Sequence, residues 1–137
     1  MAMRSNNSPS RKVILLIDDE PSFRSLIADL LEGNHVIPFA NGEESLVWLK
    51  KHPEMKVDLV ISDYNMPGRN GVEICGEIRV MAPQARFILM SATVHEDLER
   101  VVRKNQFDGW LFKPFPTAAL EDLVRKLLPN AVLPQET

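Results

Sequence analysis

The chain has 137 residues, of which 45% are hydrophobic and 26% are charged, which is ordinary for one soluble globular domain that buries its own core. Its net charge of −3 argues against a nucleic-acid-binding surface as its main role. The longest apolar run, Val13–Ile17, is far too short to cross a bilayer, which argues against a membrane-spanning protein.

The ends of the chain and its cysteine content suggest its organisation and location. Cys75 is the only cysteine, so no internal disulfide can form, and we expect a small buried core residue in a reducing compartment. The polar N-terminus lacks the apolar stretch of a secretory signal, which predicts a cytoplasmic protein that binds neither membrane nor nucleic acid. We predict a flexible tail at 1–10, one domain at 11–128, and a second tail or the start of a linker at 129–137.

A strand and a helix begin the predicted domain. Val13–Ile17 (VILLI) is a short continuous apolar run, which is typical of a strand covered on both faces. Pro21 then opens a helix, and Gly33 is expected to end it. The apolar face of this helix is predicted to consist of Phe23, Leu26, Ile27, Leu30 and Leu31.

The second strand carries a clue to its place in the sheet. His35–Phe39 (HVIPF) contains Pro38, which cannot donate a hydrogen bond to a neighbouring strand, so this strand should lie at an edge. Asn41, followed three residues later by Glu44, then predicts the N-cap of a second helix.

The remaining segments continue the alternation of strands and helices. They are a strand at Val57–Ser62, a helix at Val72–Met81, a strand at Arg86–Met90, a helix opened by a Thr93-x-x-Glu96 capping box, a strand at Trp110–Phe112 and a helix at Thr117–Leu128. The pattern predicts an α/β fold with a doubly wound, five-stranded parallel sheet and helices on both faces. An edge position for strand 2 fits the flavodoxin-like order 2-1-3-4-5, in which ligands bind beyond the carboxyl ends of strands 1 and 3.

Polar groups follow four of these strands at the point where each strand ends. They belong to Asp18 and Asp19 after strand 1, Asp63 after strand 3, Ser91 after strand 4 and Lys113 after strand 5, with Ala92 and Pro114 next in the chain after the last two. In a doubly wound sheet these positions converge on one crevice. Three carboxylates so close together must take up protons or bind a cation, and all-oxygen ligands select Mg²⁺ or Mn²⁺. With Lys113 and the metal neutralising a phosphoryl group, a carboxylate could attack phosphorus in line.

Each of these residues also has a purely structural interpretation. Asp18 or Asp19 would cap a helix, Asp63 would form a turn, Ser91 would be a cap hydroxyl and Lys113 a solvated lysine. Taken one by one, these interpretations are reasonable, but none explains why the polar groups cluster at successive strand ends.

The motifs at these positions are similar to those of a known family. They are IDDEP at 17–21, SDYNMPGRNG at 62–71, MSA at 90–92 and KPF at 113–115. In this order and spacing, the chain resembles the receiver domain of two-component response regulators over essentially all of 11–128.

The resemblance implies a role for each residue of the metal and phosphoryl site. Asp63 would be the phosphoacceptor, and Asp19 and Asp63 would ligate Mg²⁺ directly with the backbone carbonyl of Asn65, while Asp18 assists through water. Lys113 would pair with Asp63 before phosphorylation and with the phosphoryl group afterwards. The Lys113–Pro114 peptide bond is expected to be cis.

The resemblance also implies a switch and a set of partners. Ser91 and Ala92 would meet the phosphoryl group, Trp110 would report the change on the face formed by helix 4, strand 5 and helix 5, and Asn65 and Thr93 would tune dephosphorylation. The expected phosphodonor is a sensor histidine kinase or a phosphotransfer protein, and a homodimer through that face is possible. The chain would catalyse only its own phosphorylation and dephosphorylation, and so would not be an enzyme in the usual sense.

Three positions depart from the family pattern. Trp110 stands where Tyr or Phe is usual, and its size is expected to hinder full burial. Asn105-Gln106 replaces a glycine-containing pair, and Asn105 is expected to adopt the left-handed conformation in place of the glycine. The sequence before Gly71 lacks the usual acidic residue.

Three other functions compete with this interpretation. A phosphohydrolase of the haloacid dehalogenase type would need a D-x-D pattern on strand 1, whereas the chain has adjacent Asp18 and Asp19. A flavodoxin-like nucleotide binder would need a phosphate loop there, where two anions would repel phosphate unless metal intervenes. A pseudo-receiver that binds partners without phosphorylation would not need the complete set of acids, hydroxyl and lysine.

Overall fold

A computed structural model of the chain describes residues 10–92 and 98–134. Five strands alternate with five helices in the described ranges: β1 (Val13–Ile17), α1 (Pro21–Leu30), β2 (His35–Phe39), α2 (Gly42–Lys51), β3 (Leu59–Asp63), α3 (Gly71–Met81), β4 (Arg86–Ser91), α4 (Leu98–Lys104), β5 (Gly109–Phe112) and α5 (Thr117–Leu127). All four strand pairings are parallel, and the sheet order is β2-β1-β3-β4-β5. The predicted fold class and strand order are confirmed.

The strands are apolar throughout because both faces of the sheet are covered. In β1, Leu15 and Ile17 face a core layer formed with α2, α3 and α4. Ile14 and Leu16 face a second layer formed with α1 and α5. Both faces of these strands are therefore packed. The residues at their carboxyl ends, where the crevice lies, are held on a rigid base.

The edge position of β2 agrees with the prediction from its proline. Pro38 lies beside Leu16 of β1, and among the described strands β2 pairs with β1 alone. The outer edge of β2 has no partner among the described strands, so the absence of an N–H on Pro38 removes no hydrogen bond between strands there.

The first helix differs from its predicted form in two respects. It ends at Leu30 with Leu31 as its C-cap, and Gly33 does not adopt the left-handed conformation expected of a glycine cap. A glycine is needed at position 33 for a different reason, because a Cβ there would lie 2.2 Å from Cγ1 of Val132. Leu26, predicted to face inward, is 50% exposed.

The start of β3 was predicted two residues too early and its end one residue too early. Val57 and Asp58 precede the strand, which begins at Leu59 and includes Asp63 as its last residue. Asp58 nevertheless joins β3 to its neighbours, because its Oδ2 accepts a hydrogen bond from the backbone N–H of Val13 and its own N–H donates to the carbonyl of Val13.

The turn after α4 also differs from the prediction. Gln106, with φ of 62°, takes the left-handed conformation that was expected of Asn105. The side chain of Asn105 instead donates a hydrogen bond to the carbonyl of Val101 in the preceding turn of the helix. The capping box predicted from Thr93 and Glu96 lies outside the described residues.

Two helices begin with side-chain caps. The Asn41 side chain accepts a hydrogen bond from the N–H of Glu44 at the start of α2, which confirms the predicted N-cap. Asn70 forms a full capping box with Glu73 at the start of α3, which fixes the far end of the loop that leaves Asp63.

The segment after α5 packs on the domain as far as Leu133. The buried side chain of Asn34 holds it, since its Nδ2 donates to the carbonyl of Val132 at 2.7 Å and its Oδ1 accepts from the N–H of Val132 at 3.3 Å. The same Oδ1 accepts from the N–H of Lys12, and Ser10 donates its N–H to the carbonyl of Asn130. The two ends of the described chain are thus bound together at the amino end of the sheet. The predicted domain limit at 128 remains a proposal, with this packed segment beyond it.

Cys75 lies in α3 with a fully buried side chain, as expected of a core residue. Burial raises the pKa of its thiol to about 12, so the thiol is protonated and unreactive. No helix in the described part of the chain combines the length and the apolar character that crossing a membrane would require.

Candidate functional site

An ion-paired cluster lies at the carboxyl ends of β1 and β3. Lys113, directly after β5, places its Nζ 2.5 Å from Oδ2 of Asp18 and 3.2 Å from Oδ2 of Asp63. Asp18 is fully buried and Asp63 is 6% exposed. The structure therefore brings together residues from three different strand ends, as the sequence predicted.

Asp19 completes a triad of carboxylates. One oxygen from each of Asp18, Asp19 and Asp63 lies within 4.8 Å of the others, with Asp19 on the exposed side. This donor set, three anionic oxygens converging with one side open to solvent, fits a hard divalent cation and leaves room for water or a phosphoryl oxygen.

Local hydrogen bonds hold Asp18 in place. Its Oδ1 accepts from the backbone N–H of Glu20 at 2.8 Å, while the Arg24 guanidinium donates to its backbone carbonyl at 2.6 Å. Pro21 at the start of α1 turns the chain away at once. The carboxylate consequently has its other oxygen, Oδ2, directed at Lys113.

The loop after Asp63 folds back tightly over the end of β3. Gly71 donates its N–H to the carbonyl of Tyr64, and a Cβ at Gly71 would lie 2.3 Å from the backbone carbonyl oxygen of Asp63. Only glycine permits this approach. Gly68, with φ of 83°, provides the turn within the loop.

Burial and charge act in opposite directions on the two ionic partners. Burial, together with the nearby Asp18 and Asp19, raises the pKa of Asp63 above its ordinary value, although Lys113 opposes the rise. Burial lowers the pKa of Lys113, but Asp18 and Asp63 outweigh it and hold that pKa above its ordinary value. Lys113 therefore remains an ammonium, and the site is two positive charges short of balancing three ionised carboxylates.

The remaining predicted residues surround this cluster. Ser91 is buried at the end of β4, and its carbonyl accepts from the N–H of Lys113 at 2.8 Å. Ala92 and Asn65 are exposed, on the loops after β4 and β3 respectively. Thr93 lies outside the described residues.

Two further predicted features lie on or next to β5. The Lys113–Pro114 peptide bond is cis, as the resemblance implied. Trp110 is 37% exposed and packs edge-on against Phe112, with their ring centroids 5.2 Å apart. Trp110 is thus partly exposed, and the effect of its size on an inward movement stays a prediction.

Two contacts at the site were missed by the sequence analysis. Phe23 was assigned to the core, yet the Lys113 ammonium lies 4.1 Å from the centroid of its ring. Arg69, in the loop after β3, bridges Glu43 of α2 and Glu77 of α3 on the surface. For Phe23 a signal was available, because the first turn of a helix that follows an acidic strand end faces the same crevice.

The sequence matches the family model of the response regulator receiver domain over residues 14–125. The chain belongs to this family. The predicted function, a receiver domain of two-component phosphorelay signalling, is confirmed at this level.

Relatives and solved structures agree with the assignment. Sporulation initiation phosphotransferase F of Bacillus subtilis is 31% identical over 119 residues, which cover 85% of this chain and 93% of that protein. The nitrate/nitrite response regulator protein NarL of Escherichia coli is 32% identical over 127 residues, 90% of this chain but 55% of NarL, so the chain spans about half the length of that relative. The crystal structure of response regulator protein TrrA from Thermotoga maritima in complex with Mg²⁺-BeF has a TM-score of 0.71 and 39% identity, covering 85% of this chain and 99% of TrrA.

Proposed function

We propose that this receiver domain accepts a phosphoryl group on Asp63 from a phosphohistidine of a sensor histidine kinase or a phosphotransfer protein. The observation that carries the proposal is the buried Asp63 carboxylate paired with Lys113, with carboxylate oxygens of Asp18 and Asp19 within 4.8 Å. A carboxylate oxygen so placed is held for attack, and the charges around it suit a phosphoryl group.

The donor set fits Mg²⁺, or Mn²⁺, held by Asp18, Asp19 and Asp63 with the backbone carbonyl of Asn65. Bound there, the cation would neutralise negative charge on the carboxylates and on the phosphoryl oxygens. The Mg²⁺-BeF complex of TrrA supports this proposal by likeness, since TrrA is a response regulator of the same fold.

The protein's own residues account for the transfer step. An oxygen of the ionised Asp63 attacks phosphorus and forms an O–P bond, while the P–N bond of the donor breaks and its electron pair returns to the imidazole nitrogen. Lys113 holds a phosphoryl oxygen through its ammonium, and the hydroxyl of Ser91 donates a hydrogen bond to another. Hydrolysis later returns Asp63 to a carboxylate, and Asn65 and Thr93 tune the access of water.

The added charge would then be read at the face formed by α4, β5 and α5. The phosphoryl group brings about −1.5 to −2 charges and three acceptor oxygens to Asp63. Ser91, Ala92 and the loop they begin move toward it, and Trp110 on β5 reports the change. A homodimer through this face is a possible output, and no reaction beyond the domain's own phosphorylation and dephosphorylation is expected.

The proposal is tested by labelling the purified chain with acetyl phosphate and Mg²⁺. We expect the wild type to take up phosphate and Asp63→Asn to take up essentially none, because an amide oxygen is a poor nucleophile. Asp122→Asn, which removes an exposed carboxylate on α5, is the matched control and should label like the wild type.

Three results would contradict the proposal. Normal labelling of Asp63→Asn would place the phosphoryl group elsewhere. A wild type that neither labels nor binds Mg²⁺ would favour a pseudo-receiver, and turnover of phosphate monoesters would favour a phosphohydrolase.

A further inference from the structure

An aromatic ring lies against the Lys113 ammonium. Phe23 lies in the first turn of α1, and the distance from Nζ of Lys113 to the centroid of its ring is 4.1 Å. A cation this close to the face of a ring is attracted by the negative potential of the π electrons.

The ring is itself fixed by a second aromatic residue. Phe115, two residues after Lys113, meets Phe23 edge-on, with a centroid distance of 5.7 Å and an interplanar angle of 87°. This is a favoured aromatic geometry, so Phe115 and Lys113 both contact the one half-buried ring. The ring joins α1 to the segment that carries the lysine.

The contacts of Lys113 differ in whether cation binding and phosphorylation weaken them. Its two anionic partners, Asp18 and Asp63, are also ligands of the proposed cation, and Asp63 loses its charge as a carboxylate once it carries phosphorus. The attraction to the Phe23 ring does not depend on either event. The ring would therefore continue to hold the ammonium in the crevice when its carboxylate partners are engaged elsewhere.

We propose that Phe23 is a positioning residue for phosphoryl transfer: the face of its ring holds the Lys113 ammonium where the incoming phosphoryl oxygens will lie. This proposal rests on the proposed function of Asp63. It differs from simple packing because it requires the electrons of the ring and not only its volume.

Fluorinated phenylalanines at position 23 separate the two roles. Mono-, di- and trifluoro-phenylalanine keep the shape of the ring and progressively weaken its attraction for a cation. We expect the initial rate of labelling by acetyl phosphate at saturating Mg²⁺ to fall stepwise along the series, to about one-fifth for the trifluoro form. Phe23→Leu should reach a similar level, while Leu26→Ala, an exposed position on the same helix, should match the wild type.

A second measurement reads the contact without any activity. In a chain labelled with ¹³C at lysine Cε, the ring current of Phe23 should shift the Lys113 resonance upfield, and the signal is assigned by its absence in Lys113→Arg. Phe23→Leu should return that resonance to the position typical of exposed lysines.

The outcomes are distinct. A labelling rate that is unchanged across the fluorinated series would overturn the positioning role, even if the upfield shift is present. The absence of the upfield shift in the wild type would overturn the contact itself. A wild type that does not label at all would instead refute the function of Asp63, and the positioning role with it, whatever the resonance shows.

Discussion

Asp63 sits in an environment that disfavours its own charge. Burial raises its pKa, Asp18 and Asp19 add to the rise, and the Lys113 ammonium compensates only in part. Its proton is therefore held more tightly in the folded chain than in the unfolded chain.

This imbalance predicts a stability difference for Asp63→Asn. The pKa of Asp63 in the folded chain lies above the ordinary value of 3.8, so protonation of Asp63 stabilises the folded chain. This stabilisation is fully present below pH 3.8 and is lost as the pH rises through the folded pKa. We expect the asparagine variant to have a larger free energy of unfolding than the wild type at pH 7, and the difference to vanish below about pH 3.8. Urea denaturation at pH 7 and pH 3.5 measures this, and an asparagine variant less stable than the wild type at pH 7 would contradict it.

The sequence predicted the charged residues of the site but not every residue around them. Asp18, Asp63 and Lys113 could be found because each marks the end of an apolar strand, and parallel strands end at one edge. Phe23 was missed because an aromatic residue at helical spacing is ordinarily a core residue, although its place in the first turn after Asp18 and Asp19 was a signal for the crevice. No sequence pattern predicts the ion pairs of Arg69, because its partners depend on how α2 and α3 pack.

At the scale of elements, α2 and α3 meet where α2 carries a glycine. A Cβ at Gly42 would lie 2.3 Å from Cγ1 of Ile74, a buried residue of α3. The absence of a side chain at Gly42 thus sets how closely the two helices approach each other.

Two glycine substitutions test this packing against helix propensity. Gly42→Ala is expected to lower the free energy of unfolding by about 1–3 kcal/mol, because the added methyl group displaces Ile74. Gly76→Ala, at an exposed position within α3 with no atom within 4 Å of the added Cβ, should raise it by about 1 kcal/mol. Thermal unfolding of both variants measures the two changes. Equal changes in the free energy of unfolding would show that helix propensity alone, and not packing, determines them.

The face formed by α4, β5 and α5 carries its own reporter. Trp110 lies on β5, partly exposed and in contact with Phe112. Beryllofluoride with Mg²⁺ should change the tryptophan fluorescence of the chain, because a shift of this face alters the surroundings of the indole. Trp110→Phe retains the signal of Trp48 and should lose the response. An unchanged spectrum in the wild type would argue against a switch at β5.

The elements themselves were largely predictable, and the errors have local causes. Continuous apolar runs and Pro38 led to the correct sheet order. The start of β3 was placed too early because Val57 is buried like a strand residue, and Asp58 is already bound to Val13 through both its backbone N–H and its side chain. The left-handed residue was assigned to Asn105 on intrinsic preference, whereas the structure places Gln106 there.

For the molecule as a whole, excess negative charge at one end of the sheet couples metal binding to folding. Any ligand that binds only the folded chain stabilises it in proportion to the logarithm of its concentration. The carboxylates of Asp18, Asp19 and Asp63 come together only when β1 and β3 pair, so a cation held by all three is such a ligand.

Addition of Mg²⁺ should therefore raise the melting temperature of the chain. At a concentration 100 times the dissociation constant, we expect a stabilisation of about 2.7 kcal/mol, measured by thermal denaturation. Asp19→Asn should reduce the effect strongly, while NaCl at equal ionic strength should not reproduce it. A similar rise for Asp19→Asn would exclude Asp19 as a ligand.

The Asn34 side chain holds both ends of the domain at the amino edge of the sheet, opposite to the crevice. Because Ser10 bonds to Asn130 and Val132 bonds to Asn34, we expect probes attached at the exposed Ser10 and Pro134 to lie near each other at this end of the sheet. Their separation would stay constant when Asp63 gains or loses phosphorus and would lengthen only when the chain unfolds. Such a pair of probes would report unfolding of the domain and would not respond to phosphorylation of Asp63.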